Sequence, residues 1–152
     1  MVKRMEDLAR LDLPANPAVL AVARTVVSST ISSVGIPLDE RLDDVRLAVT
    51  EACNHVVRQI PTSNSKPRIE LSCRATNDRL EILVEASFGQ GDVHESLDEQ
   101  ISMSQNIESE QSWGKELMSA LVDGLEIVDQ EHRSAVALTF TYQGPNFTYQ
   151  NL

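Results

Sequence analysis

The stretch Val45-Arg46-Leu47-Ala48-Val49-Thr50-Glu51-Ala52-Cys53-Asn54-His55-Val56-Val57-Arg58 decides how the rest of the chain is read. Leu42, Val45, Val49, Ala52 and Val56 recur at intervals of three and four, which makes them one apolar ridge of a helix. Glu51 and His55 are four apart, on one side of that helix and beside the ridge. A carboxylate next to a core-facing position needs a partner or a task, because carboxylates are seldom buried alone. Glu51 is therefore either an edge-of-core ion pair or a working group.

Working outward, the upstream sequence supplies a strand and a first helix. Residues 7–13 form a short strand ended by Pro14. Asn16 and Pro17 stand as N-cap and first helical position, and Gly35 closes a helix carrying Val19, Leu20, Val22, Ala23, Val26, Val27, Ile31 and Val34. Its β-branched residues and serines are weak helix formers, so packing must hold it. Asp39 is expected to cap the second helix, which runs to about Arg58 and is followed by a polar loop from Pro61 to Pro67.

Downstream the period changes to two. Ile69, Leu71, Cys73 and Ala75, then Leu80, Ile82, Val84 and Ala86, alternate with polar residues across a turn at Asn77-Asp78, which is a hairpin with one buried face. Residues 87–111 have no sustained period and read as a long loop. A third helix over about Trp113 to Asp123 has Leu117, Ala120 and Leu121 as its expected buried stripe. Leu125–Val128 and Ala135–Tyr142 make a last hairpin, and 144–152 a loose tail. The order β-α-α-β-β-loop-α-β-β implies an α/β two-layer sandwich, a mostly antiparallel sheet with about three helices on one face, as one domain over 1–152 with its core in 7–143.

Composition bounds the function. A 152-residue chain with 41% apolar residues can bury roughly 70% of its unfolded surface without staples. No apolar run approaches the ~20 residues that span a bilayer, and nothing marks the start for secretion, so a cytoplasmic protein is expected. Cys53 and Cys73 match no metal-ligand spacing and are expected to be buried free thiols. The net charge of −10, with no Lys or Arg between Arg79 and Lys115, excludes nucleic acid as a natural ligand and favours a basic protein partner. His94 and His132 are isolated and read as surface residues.

This order, with Glu51 on the second helix and glycines after the third strand, resembles the histidine kinase-like (GHKL, Bergerat) ATPase fold. Within it the chain is most like the small RsbW-type anti-sigma factors that are also serine-protein kinases. Leu47-Ala48-Val49-Thr50-Glu51-Ala52-Cys53 is similar to that branch's L-A-V-x-E-A-C run, and Leu117-Met118-Ser119-Ala120-Leu121-Val122-Asp123 to its L-I-x-A-L-x-D run. The resemblance implies ATP and Mg²⁺ as cofactors and Glu51 as catalytic base. It also implies a homodimer paired through the first strand and helix, an alternative sigma factor in stress-response transcription, and a STAS-domain anti-anti-sigma antagonist.

Carried over position by position, the motifs depart from the family. The magnesium-holding asparagine is His55, which is either a satisfied semi-buried histidine or a metal ligand. Mg²⁺ prefers oxygen donors to imidazole. The D-x-G-x-G motif reads Ser87-Phe88-Gly89-Gln90-Gly91, with Ser87 in place of the adenine-binding aspartate and Gly89 and Gly91 serving as a plain turn or a phosphate-side loop. The later G-x-G-L motif reads Ser112-Trp113-Gly114-Lys115, where Gly114 survives and Lys115 can neutralise phosphate, while Trp113 either plugs or stacks. Asp92, Glu95, Asp98, Glu99, Glu108 and Glu110 of the lid oppose a triphosphate. The expected function is an anti-sigma factor or related partner-switching regulator with weak or lost ATP binding. The alternative is an active ATP-dependent serine-protein kinase. Ser87→Asp with His55→Asn, joined by Trp113→Gly if the ring fills the pocket, is expected to restore nucleotide binding.

Overall fold

In the computed structural model, residues 5–89 and 113–143 are described. The elements are β1 (Glu6–Pro14), α1 (Pro17–Val34), α2 (Leu42–Gln59), β2 (Arg68–Ala75), β3 (Arg79–Ser87), α3 (113–121), β4 (Gly124–Gln130) and β5 (Arg133–Thr141). The strands form one sheet in the order β1-β2-β3-β5-β4, every neighbouring pair antiparallel. The sandwich expected from the pattern is the one observed. The loop and acidic lid at 90–112, with Gly91 and His94, and the tail at 144–152 lie outside the described residues.

The sheet's two faces follow from its registers. Ile69, Leu71 and Cys73 of β2 align with Leu13, Leu11 and Ala9 of β1. Leu80, Ile82 and Val84 of β3 align with Phe140, Leu138 and Val136 of β5. Residues opposite one another share a face, so these side chains form one apolar layer. The helices cover it with Leu20, Ala23, Val27 and Ile31 of α1, Val45, Ala48, Val49, Ala52 and Val56 of α2, and Met118 of α3. The alternate row carries Arg10, Asp12, Glu70, Arg74, Glu81 and Glu85 on the face away from the helices.

Helix limits follow from local chemistry. Asn16 Oδ1 accepts from the Ala18 amide at 3.0 Å, and Gly35 ends α1 in the left-handed region at φ 80°. Ser28 and Thr30 donate their hydroxyls to the carbonyls of Arg24 and Val26, at 2.8 and 2.7 Å, which quiets two of α1's weak helix formers. By length and composition α1 does reach the range of a bilayer-spanning helix, contrary to the sequence expectation. It also carries Arg24, and its stripe of Leu20, Ala23, Val27 and Ile31 is buried in the common core. Asp39 does not cap α2: it opens a 3₁₀ turn, Asp39–Arg41, and no side chain caps α2 itself. On α3 the buried apolar side chain is that of Met118, while Ala120 is exposed and Leu117 and Leu121 are half-buried. Cys53 and Cys73 are buried free thiols, and burial pushes both up to about 12.

The C-terminal end of α3 is tied to the start of α2. Arg41 pairs with Asp123 at 2.8 Å, donates to the Leu121 carbonyl at 3.1 Å and lies 5.3 Å from the centre of the Phe140 ring. Asp123 also accepts from the amide and hydroxyl of Thr141 at 2.7 and 3.1 Å. The hydrogen bond from Arg41 holds the Asp123 carboxyl below its ordinary 3.8; burial opposes it, and the hydrogen bonds from Thr141 add smaller contributions in Arg41's direction. A lowered folded-state pKa means that this stabilisation is complete above the ordinary value and is lost as pH falls through the folded one. Asp123→Asn is expected to cost roughly 1 kcal/mol at neutral pH, small because the pair is about a third exposed. Urea unfolding of both proteins from neutral pH down through the carboxylate range should show that difference shrinking with acidity.

Candidate functional site

The site is built on α2. Burial of Val45, Val49, Ala52 and Val56 fixes the helix's rotation, which leaves Glu51 half-buried at the edge and turns His55 inward. His55 is 2% exposed, and its Nε2 lies 2.9 and 3.1 Å from the two carboxylate oxygens of Asp129. Asp129 on β4 stands opposite Ser134 on β5, and the Ser134 hydroxyl donates to Asp129 Oδ1 at 2.7 Å. The three side chains thus link α2 to the β4–β5 hairpin on the helix side of the sheet.

This arrangement does not fit a magnesium site. Mg²⁺ requires near-octahedral oxygen ligands at about 2.0–2.1 Å. The carboxylate that meets the family's asparagine position is Asp129, and both its oxygens are engaged by His55 or Ser134. Among the described residues no group of three or more His, Cys, Asp and Glu could hold a metal ion.

Glu51 and Gly114, far apart in sequence, meet. A methyl group on Gly114 would stand 3.4 Å from Glu51 Oε2 and 4.0 Å from Arg58 Nη1. Gly114 is buried, whereas its neighbours Trp113 and Lys115 are exposed, Trp113 by 68%. Trp113 therefore fills no pocket of the described fold. Arg58 went unnoticed in the sequence, although seven residues after Glu51 is two helical turns and the same side of α2.

The remaining motif residues are placed elsewhere. Ser87 pairs with Arg133 at the end of β3, in the same row as Glu85, and lines a cavity of about 250 Å³ with Asp12, Arg68 and Glu70. That row faces away from α2, so the structure does not bring Ser87 to Glu51. Phe88, not Ser87, is the buried residue at that strand end, and Gly89 is exposed. His132, expected at the surface, is half-buried, and its carbonyl accepts from the Phe88 amide at 2.8 Å. A second concavity of about 590 Å³ between α1 and α2 is lined by Arg24, Thr25, Ser28, Arg46, Leu47 and Thr50. Arg46 is held there by the Ser28 hydroxyl at 2.8 Å and by Asp43 at 3.2 Å.

Compared with known proteins, residues 13–140 match the family model described as the histidine kinase-like ATPase domain. This chain belongs to that family. Within the family, the curated relatives it matches carry the name serine-protein kinase RsbW. One from Bacillus licheniformis is 28% identical over 94 residues, covering 62% of this chain and 58% of the relative. Another from Bacillus subtilis (strain 168) is 28% identical over 83 residues, covering 55% and 51%. A third from Bacillus pumilus is 27% identical over 127 residues, covering 80% and 78%. The first relatives are thus matched over only about half of their length. A crystal structure of the RsbU and RsbW domains of a Mycobacterium tuberculosis protein superposes with a TM-score of 0.60 at 14% identity, covering 92% of this chain and 34% of the other. That likeness confirms the fold.

Proposed function

We propose that this chain is a partner-switching regulator of the anti-sigma type. It sequesters an alternative sigma factor, is released by a STAS-domain antagonist, works as a homodimer and binds ATP weakly or not at all. One observation carries the reading. The family's architecture is kept around Glu51 and Gly114, while the position that would serve magnesium is closed into the His55–Asp129–Ser134 link. A scaffold that keeps its shape and loses its metal chemistry is suited to binding. The name carried by its relatives, serine-protein kinase RsbW, supports a place in the same kind of circuit.

The net charge of −10 suits basic sigma-factor helices. Long-range attraction of this kind speeds encounter and is screened by salt. Raising ionic strength from about 0.05 to about 0.5 M should therefore slow association with the sigma factor roughly tenfold and change dissociation much less. Stopped-flow or surface-based kinetics reads both. An on-rate indifferent to salt, or native-host pull-downs recovering neither a sigma factor nor a STAS-domain protein, would remove the proposal.

A second reading, an active serine-protein kinase, has one observation in its favour: Glu51 lies against Gly114, where a base and a nucleotide-side backbone would meet. In that reading Glu51 is the base, Gly89, Gly91, Gly114 and Lys115 line the nucleotide, and magnesium must be held without His55.

A further inference from the structure

The sheet has two edges, β1 and β4, and the chain treats them differently. β1 is blunted: its pairing with β2 slips between Asp7 and Ala9, Pro14 ends it without an N–H, and Asp7, Arg10 and Asp12 set both signs of charge along it. β4 has none of these devices. It pairs with β5 without a shift, from Gly124 opposite Thr139 to Gln130 opposite Arg133, and contains no proline, lysine or arginine. The two-residue turn at Glu131 and His132 makes Gln130 and Arg133 the bonded pair that closes the hairpin. Counting back by twos, Val128, Glu126 and Gly124 also bond to β5, while Leu125, Ile127 and Asp129 turn their N–H and C=O groups outward. Among the described residues nothing bonds to that side of the strand.

The side chains of β4 state what kind of strand fits beside it. Leu125 and Ile127 are half-buried at the margin of the core, on the helix side of the sheet. Glu126 lies exposed on the other face, and Glu131 is exposed at the turn. Neither makes an ion pair among the described residues. Between Lys115 and Arg133 the chain carries Glu116, Asp123, Glu126, Asp129 and Glu131 and no Lys or Arg. An edge with charges of one sign repels a second copy of itself and attracts a strand of the opposite sign. A homodimer paired through the first strand and helix would leave β4, at the far edge, open.

We propose that the β4 edge takes up a basic, extended segment of a protein partner as an added strand. Alternate apolar residues of that segment continue the layer of Leu125 and Ile127, and the basic residues between them meet Glu126 on the opposite face and Glu131 at the turn. Main-chain hydrogen bonds supply the affinity and the alternation supplies the selectivity. The inference stands apart from the anti-sigma reading, because it requires neither a sigma factor nor a nucleotide.

The test titrates the full chain, at about 0.05 M salt, with a capped peptide that alternates lysine and valine over the length of β4. Calorimetry should give a Kd below about 1 mM. At saturation the outward amides of Leu125 and Ile127 should exchange with deuterated water at least about tenfold more slowly by NMR, while those of Glu126 and Val128, already bonded to β5, change less. Glu126→Lys combined with Glu131→Lys should weaken binding roughly tenfold or more, and the corresponding pair of Gln substitutions should fall in between. The same peptide N-methylated at alternate residues on its bonding side keeps its charge, loses its donors and should not bind. No binding up to about 10 mM, or slowed exchange only outside β4, would overturn the proposal. So would equal binding by the N-methylated peptide or by an isomer with its lysines together, since either would reduce the contact to charge alone. Protection of Leu125 and Ile127 that rises with protein concentration in the absence of peptide would assign the edge to a second copy of the chain and would equally overturn it.

Discussion

Replacing His55 by asparagine is expected to lower stability by about 2–4 kcal/mol and to bring no magnesium with it. Asparagine is shorter than histidine and cannot span to Asp129. The substitution would leave one carboxylate with a single partner, Ser134, and a hole in a region where Val45, Ala48, Val49 and Ala52 are fully buried. Removing one partner of a buried hydrogen bond costs about 1–3 kcal/mol. The hole left by the shorter side chain adds to it, and Asp129, 33% exposed, regains part of the loss from solvent. Urea unfolding reads the effect as a drop in midpoint at constant slope. The expectation that His55→Asn, with Ser87→Asp, rebuilds the site is revised by the same geometry, because position 87 lies on the sheet face away from α2. An unchanged midpoint together with newly measurable Mg²⁺ binding would show that the link is incidental.

The second large effect concerns catalysis. ATP in Mg²⁺ is expected to bind no more tightly than about millimolar, and no phosphate should pass to a serine of any antagonist. The missing magnesium ligand and the missing adenine-binding carboxylate are each worth about 1–3 kcal/mol. Together they remove roughly one to four orders of magnitude in affinity if additive, which neighbouring contacts often are not. The structure sharpens both terms, since His55 is turned into Asp129 and Ser87 lies across the sheet from Glu51. Glu51→Ala should then leave a radiolabelled phosphate-transfer assay at the same background. Micromolar binding of Mg-ATP with turnover abolished by Glu51→Ala would establish the kinase reading instead.

Much of the fold was legible because it is written in short-range signals. Asn16, Pro17 and Gly35 delimit α1 through rules that act within one turn, and the period-two runs of β2 and β3 state which face is buried. Misreadings came where a tertiary contact overrode a local preference. Asp39 is a good capping residue, yet the chain tightens into a 3₁₀ turn there, and Arg41 two residues on is spent on Asp123 and Leu121. Met118 displaces Ala120 from the α3 stripe because the helix's rotation is set by the core it covers, which nine residues of periodicity do not specify. The face of Ser87 is legible too, because the alternation Leu80, Ile82, Val84, Ala86 places an odd-numbered residue on the other side of the sheet, against the motif's placement of Ser87 in the nucleotide site. Contacts that define the site, His55 with Asp129 and Glu51 with Gly114, join residues more than sixty positions apart and leave no local trace.

The central claim is that this family member binds its partner without metal-nucleotide chemistry. Calorimetric titration of the purified chain with the alternative sigma factor of its own cell tests it most directly, first in EDTA without nucleotide and then in saturating Mg-ATP. The account predicts the same affinity and stoichiometry in both conditions. Association that appears only with Mg-ATP, or no association in either, would contradict it.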